Sequence, residues 1–330
     1  MLKTKKFIRI ALVLLILMLS LLTVLSILTG ATSVLLLSNP VLLGFSLVLF
    51  ILSIFVWLFS WSLLIFVRNK KPIKSIFRAG FSAVFGSLTP VQLGSDLLRS
   101  MFLKDEFNIP MSESFSASMV VKGLKFSFLA FASTAVIITA FSTDSVSEAL
   151  FLPLLSGFFV VILASLLFLL PLNKKIGYKI SRLFGAISKK IKLVKPLEKY
   201  FIKYSDFLRE FSVAILFTTF LLAALSWVLE FFSLYFVFAS LGISIPIISL
   251  LVFFILIAVL ERTPVIPRGI LLVELVGFAF LSFPMVSQAE LSIAQIGSVL
   301  VLFDVARIIF PVLSSLVFYV AFKAIQAKNK

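Results

Sequence analysis

The sequence has 330 residues, of which 61% are hydrophobic and 13% are charged. Soluble globular chains are about 45–50% apolar and about 25% charged, so this composition excludes a soluble protein and indicates a polytopic membrane protein. The chain contains 30 Lys and Arg against 14 Asp and Glu, a net charge of +16, and has neither Cys nor His. We therefore expect no disulfide, no metal, no cofactor, no His general base and no nucleic-acid partner.

Six stretches are long and apolar enough to cross a membrane, for which about 20 residues are needed. We predict spanning helices at about 7–29, 41–67, 116–141, 150–172, 211–240 and 291–322. The segments between spans that contain no Lys or Arg are 30–40, 142–149, 241–246 and 284–290. Because basic residues accumulate on the cytoplasmic side, we predict a multi-pass protein of the cell membrane with both termini in the cytoplasm.

A further apolar region, 75–109, is interrupted by Pro90 and Gly94 and carries Asp96 and Arg99. Irregular backbone at membrane depth is tolerated where it is buried in protein or lines a water-filled cavity. Short interrupted segments in corresponding positions of two halves point to the central site of a transporter. We therefore predict a re-entrant helical hairpin that enters from the cytoplasmic side.

The segment 173–210 contains apolar residues at helical spacing among many lysines. The first set is Ile180, Phe184, Ile187, Ile191 and Val194, and the second is Leu197, Phe201, Tyr204, Leu208 and Phe211. This spacing predicts two amphipathic helices. We expect both to lie on the anionic leaflet, with a lipid-headgroup or partner site as the alternative.

A second interrupted region, 245–283, contains Glu261, Arg262, Pro267, Arg268 and Gly269 between two short apolar blocks. We predict a second re-entrant hairpin, which enters from the outer side. Half-helices that begin near Ser95 and Gly269 would direct their positive ends inward, toward an anionic group.

Several charged residues lie within apolar segments. Inserting an Arg, Lys or Asp at the centre of a membrane-spanning helix costs about 2.5–3.5 kcal/mol. The pairs Asp96 with Arg99 and Asp304 with Arg307 are each three residues apart, so each pair shares one helix face. We predict that they line a pathway, and the alternative is that they only hold helices together. Lys122 and Lys125 are expected to reach the cytoplasmic interface, and Glu230 to pair inside the bundle.

At the two interruptions the sequence resembles the lysylphosphatidylglycerol synthase transmembrane-region family, also called flippase-like domain proteins. The residues that carry the resemblance are Pro90, Gly94, Asp96 and Arg99 in the first half, and Pro267, Gly269, Glu274 and Arg307 in the second. The sequence departs from the family pattern at Arg268 and Leu271, where relatives have glycine, and at 120–125, where they have Glu-Arg.

The resemblance implies a lipid-handling membrane domain, in some members linked to the movement of lipids between leaflets. In two-part relatives a soluble aminoacyltransferase domain follows the membrane region. Because this sequence ends about eight residues after its last predicted span, we expect no synthase activity and no enzyme.

These features together predict one all-α integral membrane domain, 1–330, with six full spans and two re-entrant hairpins. Its inverted halves are 1–172 and 211–330, separated by the cytoplasmic helices of 173–210. We predict a flippase-like transporter for a lipid with an anionic headgroup, such as a phospholipid or a polyprenyl-phosphate carrier, and a homo-oligomer is compatible with this prediction.

The predicted site residues fall into three groups. The phosphate-binding residues are Arg99, Arg262, Arg268 and Arg307, their partners are Asp96, Glu261, Glu274 and Asp304, and the helix-breaking residues are Pro90, Gly94, Pro267 and Gly269. The alternative function is a non-transporting lipid-binding partner or scaffold of a lipid- or glycan-modifying enzyme. A Mg²⁺-dependent headgroup enzyme is disfavoured, because the carboxylates alternate with arginines instead of converging on one site.

Overall fold

The computed structural model describes residues 2–89, 93–142, 148–190, 195–261, 269–282 and 291–328, and all regular structure within them is helical. The α-helices are α1 (Leu2–Thr29), α2 (Ala31–Leu36), α3 (Pro40–Asn69), α4 (Ile73–Phe81), α5 (Leu93–Phe107), α6 (Met111–Ser142), α7 (Glu148–Leu169), α8 (Lys174–Lys190), α9 (Lys195–Arg209), α10 (Val213–Ser240), α11 (Ile247–Leu260), α12 (Leu272–Leu281), α13 (Ile293–Asp304) and α14 (Phe310–Lys328). A 3-10 turn, Val84–Leu88, lies between α4 and α5, and a π turn, Val305–Ile309, joins α13 to α14. The all-α prediction is confirmed.

The six predicted spans coincide with α1, α3, α6, α7, α10 and the continuous α13–α14. Within the described residues, five of these are long and apolar enough to cross a membrane, and α7 with α8, which meet at 115°, makes a sixth if the bent pair is one span. Helices α11 and α12 have 14 and 10 residues. At a rise of about 1.5 Å per residue neither covers a hydrocarbon core of about 30 Å.

Helices α3 and α10 pack together through a line of small residues. Ser46 Oγ donates to the carbonyl oxygen of Ser233 at 2.8 Å, and Ser233 Oγ donates to that of Ser46 at 2.9 Å. The N–H of Asn39, just before α3, donates to the carbonyl oxygen of Ser240 at the end of α10, so the two helices are antiparallel. Small side chains let helix backbones approach closely. Serines repeat at seven-residue spacing in both helices, at 46, 53 and 60 and at 226, 233 and 240, and all are buried.

The same order of elements follows both helices of this central pair. After α3 come the short helices α4 and α5 and then the long α6, and after α10 come α11 and α12 and then the long α13–α14. Because α3 and α10 are antiparallel, this order is the one expected of inverted halves. The re-entrant placement of the two short hairpins stays a prediction.

The second amphipathic helix, α9, packs on protein. Its side chains Tyr204, Phe207 and Leu208 are buried in a cluster with residues of α3, α4, α5 and α6, and this burial raises the pKa of Tyr204. Arg68 at the end of α3 forms an ion pair with Glu210, directly after α9. The prediction that both amphipathic helices lie on the leaflet is therefore wrong for α9, because an apolar face can equally well cover other helices.

Candidate functional site

The first interruption is built on a close approach of two glycines. The N–H of Gly94 donates to Thr89 Oγ1 at 2.6 Å, and Thr89 Oγ1 donates to the carbonyl oxygen of Gly86 at 3.0 Å. A Cβ on Gly94 would lie 2.6 Å from that same oxygen, so no larger residue fits. Helix α5 begins here at Leu93, as predicted, and its first turns carry Asp96 and Arg99 into the protein interior.

Asp96, Arg99 and Lys122 form the first charged cluster. Asp96 and Arg99 are fully buried; Arg99 Nη2 donates to Asp96 Oδ1, and Lys122 Nζ lies 2.5 Å from Asp96 Oδ2. The guanidinium also lies over the rings of Trp57 and Trp61, 4.6 and 5.0 Å from their centres. Such cation–π contacts are worth about 2 kcal/mol when desolvated. The predicted pairing of Asp96 with Arg99 is confirmed.

One nitrogen of Arg99 remains available for a ligand. Its Nε donates to the carbonyl oxygen of Ser95 at 3.4 Å and its Nη2 binds Asp96. Its Nη1 is buried and has no hydrogen-bond partner among the described residues. A buried donor without a partner costs about 1–3 kcal/mol, and more when the group is charged. An anionic ligand would remove that cost.

Lys125 and Glu230 form a separate buried ion pair between α6 and α10. Lys125 Nζ lies 2.7 Å from Glu230 Oε1 and 5.2 Å from the centre of the Trp227 ring. The expectation that Lys122 and Lys125 reach the cytoplasmic interface is therefore wrong. Both lysines turn inward because Asp96 and Glu230 lie within reach on neighbouring helices.

The second interruption also depends on glycine. Gly269 has a φ of +66°, in the left-handed region that favours glycine, and a Cβ there would lie 2.8 Å from the carbonyl oxygen of Leu260. Gly269 therefore lies directly against the end of α11, three residues before α12 begins at Leu272. Glu261 and Glu274 thereby come to lie near one another, on opposite sides of the break.

Arg307 is the centre of the second charged cluster, which also contains Glu261, Glu274 and Asp304. Its Nη1 lies 2.7 Å from Glu261 Oε1, its Nη2 lies 3.2 Å from Glu274 Oε1, and its Nε lies 2.5 Å from Asp304 Oδ1. Arg307 is fully buried in the π turn of the last span. Single π turns inside helices occur frequently at functional sites. The predicted pairing of Asp304 with Arg307 is confirmed.

A cavity of about 260 Å³ lies between these clusters. Its charged lining residues are Arg99, Lys122, Lys125, Glu230 and Glu261. Most of the remaining wall is apolar or aromatic and includes Phe50, Ile54, Trp57, Val84, Met119, Phe126, Ala164 and Phe168. One set of helices is α3–α6, and the set with the same order is α10–α14. Side chains from both sets therefore meet around one partly charged cavity.

The predicted site residues lie at different depths around this cavity. Arg99 and Glu261 line it, Asp96 and Arg307 are ion-paired to lining residues, and Glu274 and Asp304 pair with Arg307. The predicted residues that fall outside the described parts of the chain are Pro90, Arg262, Pro267 and Arg268.

Sequence reasoning missed Lys122, Lys125 and Glu230 as lining residues. One signal could have found the lysines: Lys122 lies eleven residues after the first residue of α6, just as Asp304 lies eleven residues after the first residue of α13. Lys125 and Arg307 follow three residues later in each helix. Corresponding positions of α6 and of the continuous α13–α14 thus carry charged residues that face the interior.

An all-helical membrane bundle with a charged internal cavity is the class of protein that this fold and this site define. The chain belongs to the family of the lysylphosphatidylglycerol synthase transmembrane region, whose family model matches residues 7–315. The match confirms the resemblance to this family, which is a membrane domain and is flippase-like in some members. No curated protein and no solved structure matches the chain.

Proposed function

We propose that this protein is a flippase-like transporter that moves a lipid with an anionic, phosphate-bearing headgroup between the leaflets of the cell membrane. The observation that carries the proposal is the buried Nη1 of Arg99, which has no partner among the described residues and belongs to a side chain that lines the cavity. Lys122 and Lys125 line the same cavity. Guanidinium and ammonium groups together are the donors that bind phosphate in proteins.

The size and lining of the cavity fit a headgroup better than a whole lipid. Its volume of about 260 Å³ is near the lower end of small-molecule sites, roughly 300 Å³. The acyl or prenyl chains would stay in the surrounding lipid while the headgroup crosses, which avoids most of the cost of carrying a charge through hydrocarbon. Candidate substrates are a phospholipid and a polyprenyl-phosphate carrier.

Ion pairs at the cavity supply a mechanism for binding and release. Lys122 is bound to Asp96 and Lys125 to Glu230. A phosphate would compete with both carboxylates for the lysines, so substrate binding exchanges one set of ion pairs for another. The lysines would then keep a negative partner at each step, and Asp96 would keep Arg99.

The proposal is tested by reconstitution of the full chain in liposomes that contain a fluorescent phospholipid, with dithionite quenching of the outer leaflet. We expect the wild type to translocate the lipid and Arg99→Gln to be slower by about tenfold or more, since a hydrogen bond to a charged group contributes about 1.5–3 kcal/mol. The matched control is Arg182→Gln, because Arg182 is exposed on α8. A parallel assay with a polyprenyl phosphate distinguishes the two substrate classes.

A wild-type rate equal to that of protein-free liposomes would contradict the transporter. An Arg99→Gln rate equal to that of the wild type would contradict the role of Arg99 in binding the headgroup. If anionic lipid raises the thermal midpoint of the wild type without any translocation, the lipid-binding partner or scaffold becomes the better description.

A further inference from the structure

The second charged cluster contains more negative than positive charge. Three carboxylates, of Glu261, Glu274 and Asp304, surround the single guanidinium of Arg307. If all were ionised, these four described side chains together would carry a net charge of −2, from three carboxylates and one guanidinium. In the first cluster, by contrast, Asp96 alone faces Arg99 and Lys122.

Two carboxylate oxygens of the second cluster have no hydrogen-bond donor. Glu274 Oε2 and Asp304 Oδ2 are both buried and without a partner among the described residues. The side chains of Glu274 and Asp304 are only 7% and 1% exposed. A buried acceptor without a donor carries its full desolvation penalty, which is larger for a charged group. Among the described residues, these two oxygens therefore lack a hydrogen-bond donor.

The geometry also brings these two carboxyl groups together. Each carboxyl group accepts a hydrogen bond from a different nitrogen of the same guanidinium, Oδ1 of Asp304 from Nε and Oε1 of Glu274 from Nη2. Both carboxyl groups are therefore held against one guanidinium. Two carboxylates that share a buried site do not both ionise readily, and one proton between them removes the repulsion.

We propose that Glu274 and Asp304 share one proton in the folded protein at neutral pH and form, with Arg307 and Glu261, a proton-binding site beside the cavity. A proton shared between the two carboxyl groups supplies the donor that these oxygens lack among the described residues. A metal ion fits less well, since the described residues contain no group of three or more carboxylates arranged to hold one.

The charged side chains that pair in this cluster come from four described parts of the chain. Glu261 lies at the end of α11, Glu274 in α12, Asp304 at the end of α13 and Arg307 in the π turn. Glu261 also lines the cavity. Loss of the proton would strengthen the attraction of Arg307 to Glu274 and Asp304 and weaken its hold on Glu261, so the proton site is linked to the cavity by one ion pair. This link to transport rests on the proposed function, whereas the proton site itself does not.

Infrared spectroscopy of the purified full-length protein tests the site directly, because a protonated carboxyl group has a C=O band distinct from that of a carboxylate. We expect this band in the wild type at neutral pH and its loss in Glu274→Gln and in Asp304→Asn. The matched control is Asp206→Asn on α9, whose side chain is 62% exposed, and we expect it to keep the band. Absence of the band from the wild type, or its persistence in both variants, would overturn the proposal.

A second measurement distinguishes a shared proton from a merely structural cluster. The amide of Gln can donate to Asp304 as the proton does, so the thermal midpoint of Glu274→Gln should change less between pH 6 and pH 9 than that of the wild type, which loses the proton as the pH rises. Equal pH dependence of the two proteins contradicts the proposal. If a variant fails to fold, the wild-type infrared band decides alone, and neither measurement depends on whether the protein moves lipid.

Discussion

Asp96 shows how a buried carboxylate can be held within a membrane bundle. It is fully buried and binds the side chains of both Arg99 and Lys122. Removing one member of a buried ion pair leaves an uncompensated charge, which costs much more than the pair itself contributes. The stability of this region therefore depends on the match of charges more than on any single contact.

We predict that Asp96→Asn lowers the stability of the protein by about 3–5 kcal/mol, because two cations then lack their common carboxylate. The exposed pair of Asp206 with Arg209 provides the control, and Asp206→Asn should change stability by about 0–1 kcal/mol. Thermal unfolding in detergent, followed by circular dichroism, measures both. Addition of Lys122→Met to Asp96→Asn should recover part of the loss. Equal midpoints for the two single variants would show that the buried charges are not matched as described.

At the scale of helices, the contact between α3 and α10 is set by a repeat of small residues. The serine pair Ser46 and Ser233 hydrogen-bonds in both directions, and one further seven-residue step from Ser226 in α10 leads to Thr219, which is also buried. A helix in lipid gains no hydrophobic energy from association, so close packing of small residues and hydrogen bonds must hold the pair. The neighbouring residue Thr218, in contrast, is exposed. The packed face of α10 therefore includes Thr219 but not Thr218.

We predict that Thr219→Leu destabilises the protein by about 1–3 kcal/mol, because a larger side chain does not fit a packed interface. Thr218→Leu changes the neighbouring residue in the same way on the exposed face and should have little effect. The comparison uses thermal midpoints of the two purified variants. A Thr218→Leu protein that is as unstable as Thr219→Leu would rule out this face as the tight contact.

Helix α9 illustrates a second kind of element, an amphipathic helix that covers its own protein. Leu208 is fully buried against the bundle, whereas Ile202 on the same helix is 45% exposed. We predict that Leu208→Ala costs about 2–5 kcal/mol locally and increases the rate of tryptic cleavage within 195–209. Ile202→Ala is the control and should be cleaved like the wild type. Resistance of Leu208→Ala to trypsin would mean that α9 is held by other contacts.

At the scale of the whole molecule, the placement of the two short hairpins decides the topology. The chain has no Cys, so single cysteines can be labelled without background. If α4 and α5 form a re-entrant hairpin, Lys71→Cys and Lys104→Cys react with a membrane-impermeant maleimide from the same side, and Ser33→Cys reacts from the opposite side. Right-side-out and inside-out vesicles provide the two sides. Reaction of Lys104→Cys from the side of Ser33→Cys would mean that this hairpin crosses the membrane.

The sequence alone predicted the features that depend on local composition. Span positions follow from the length of apolar runs, and the pairs Asp96 with Arg99 and Asp304 with Arg307 follow from helical spacing. Contacts between distant segments were not predictable in this way. Lys125 and Glu230 are 105 residues apart, and nothing in the spacing of either residue indicates the other.

Whether the apolar face of a helix contacts lipid or protein was also not predictable from the spacing of its apolar residues. The apolar face of α9 has the same periodicity whether it faces lipid or protein, and only the fold shows that Tyr204 and Leu208 lie against other helices. The ion-pair partners of Arg307, which was predicted to bind phosphate, were likewise not all predictable from the sequence pattern. Its three carboxylate partners come from α11, α12 and α13, and their convergence depends on the turn at Gly269.

The pairing of Lys125 with Glu230 has a consequence for the synthesis of the chain. Translation proceeds at about 5–20 residues per second, so the 105 residues between them delay Glu230 by roughly 5–20 s. During that interval α6 contains a lysine whose insertion alone costs about 2.5–3.5 kcal/mol. Lys122, in contrast, finds Asp96 already synthesised, 26 residues earlier. During synthesis Lys125 therefore gains its carboxylate partner only when α10 is made, whereas Lys122 can pair as soon as α6 is made.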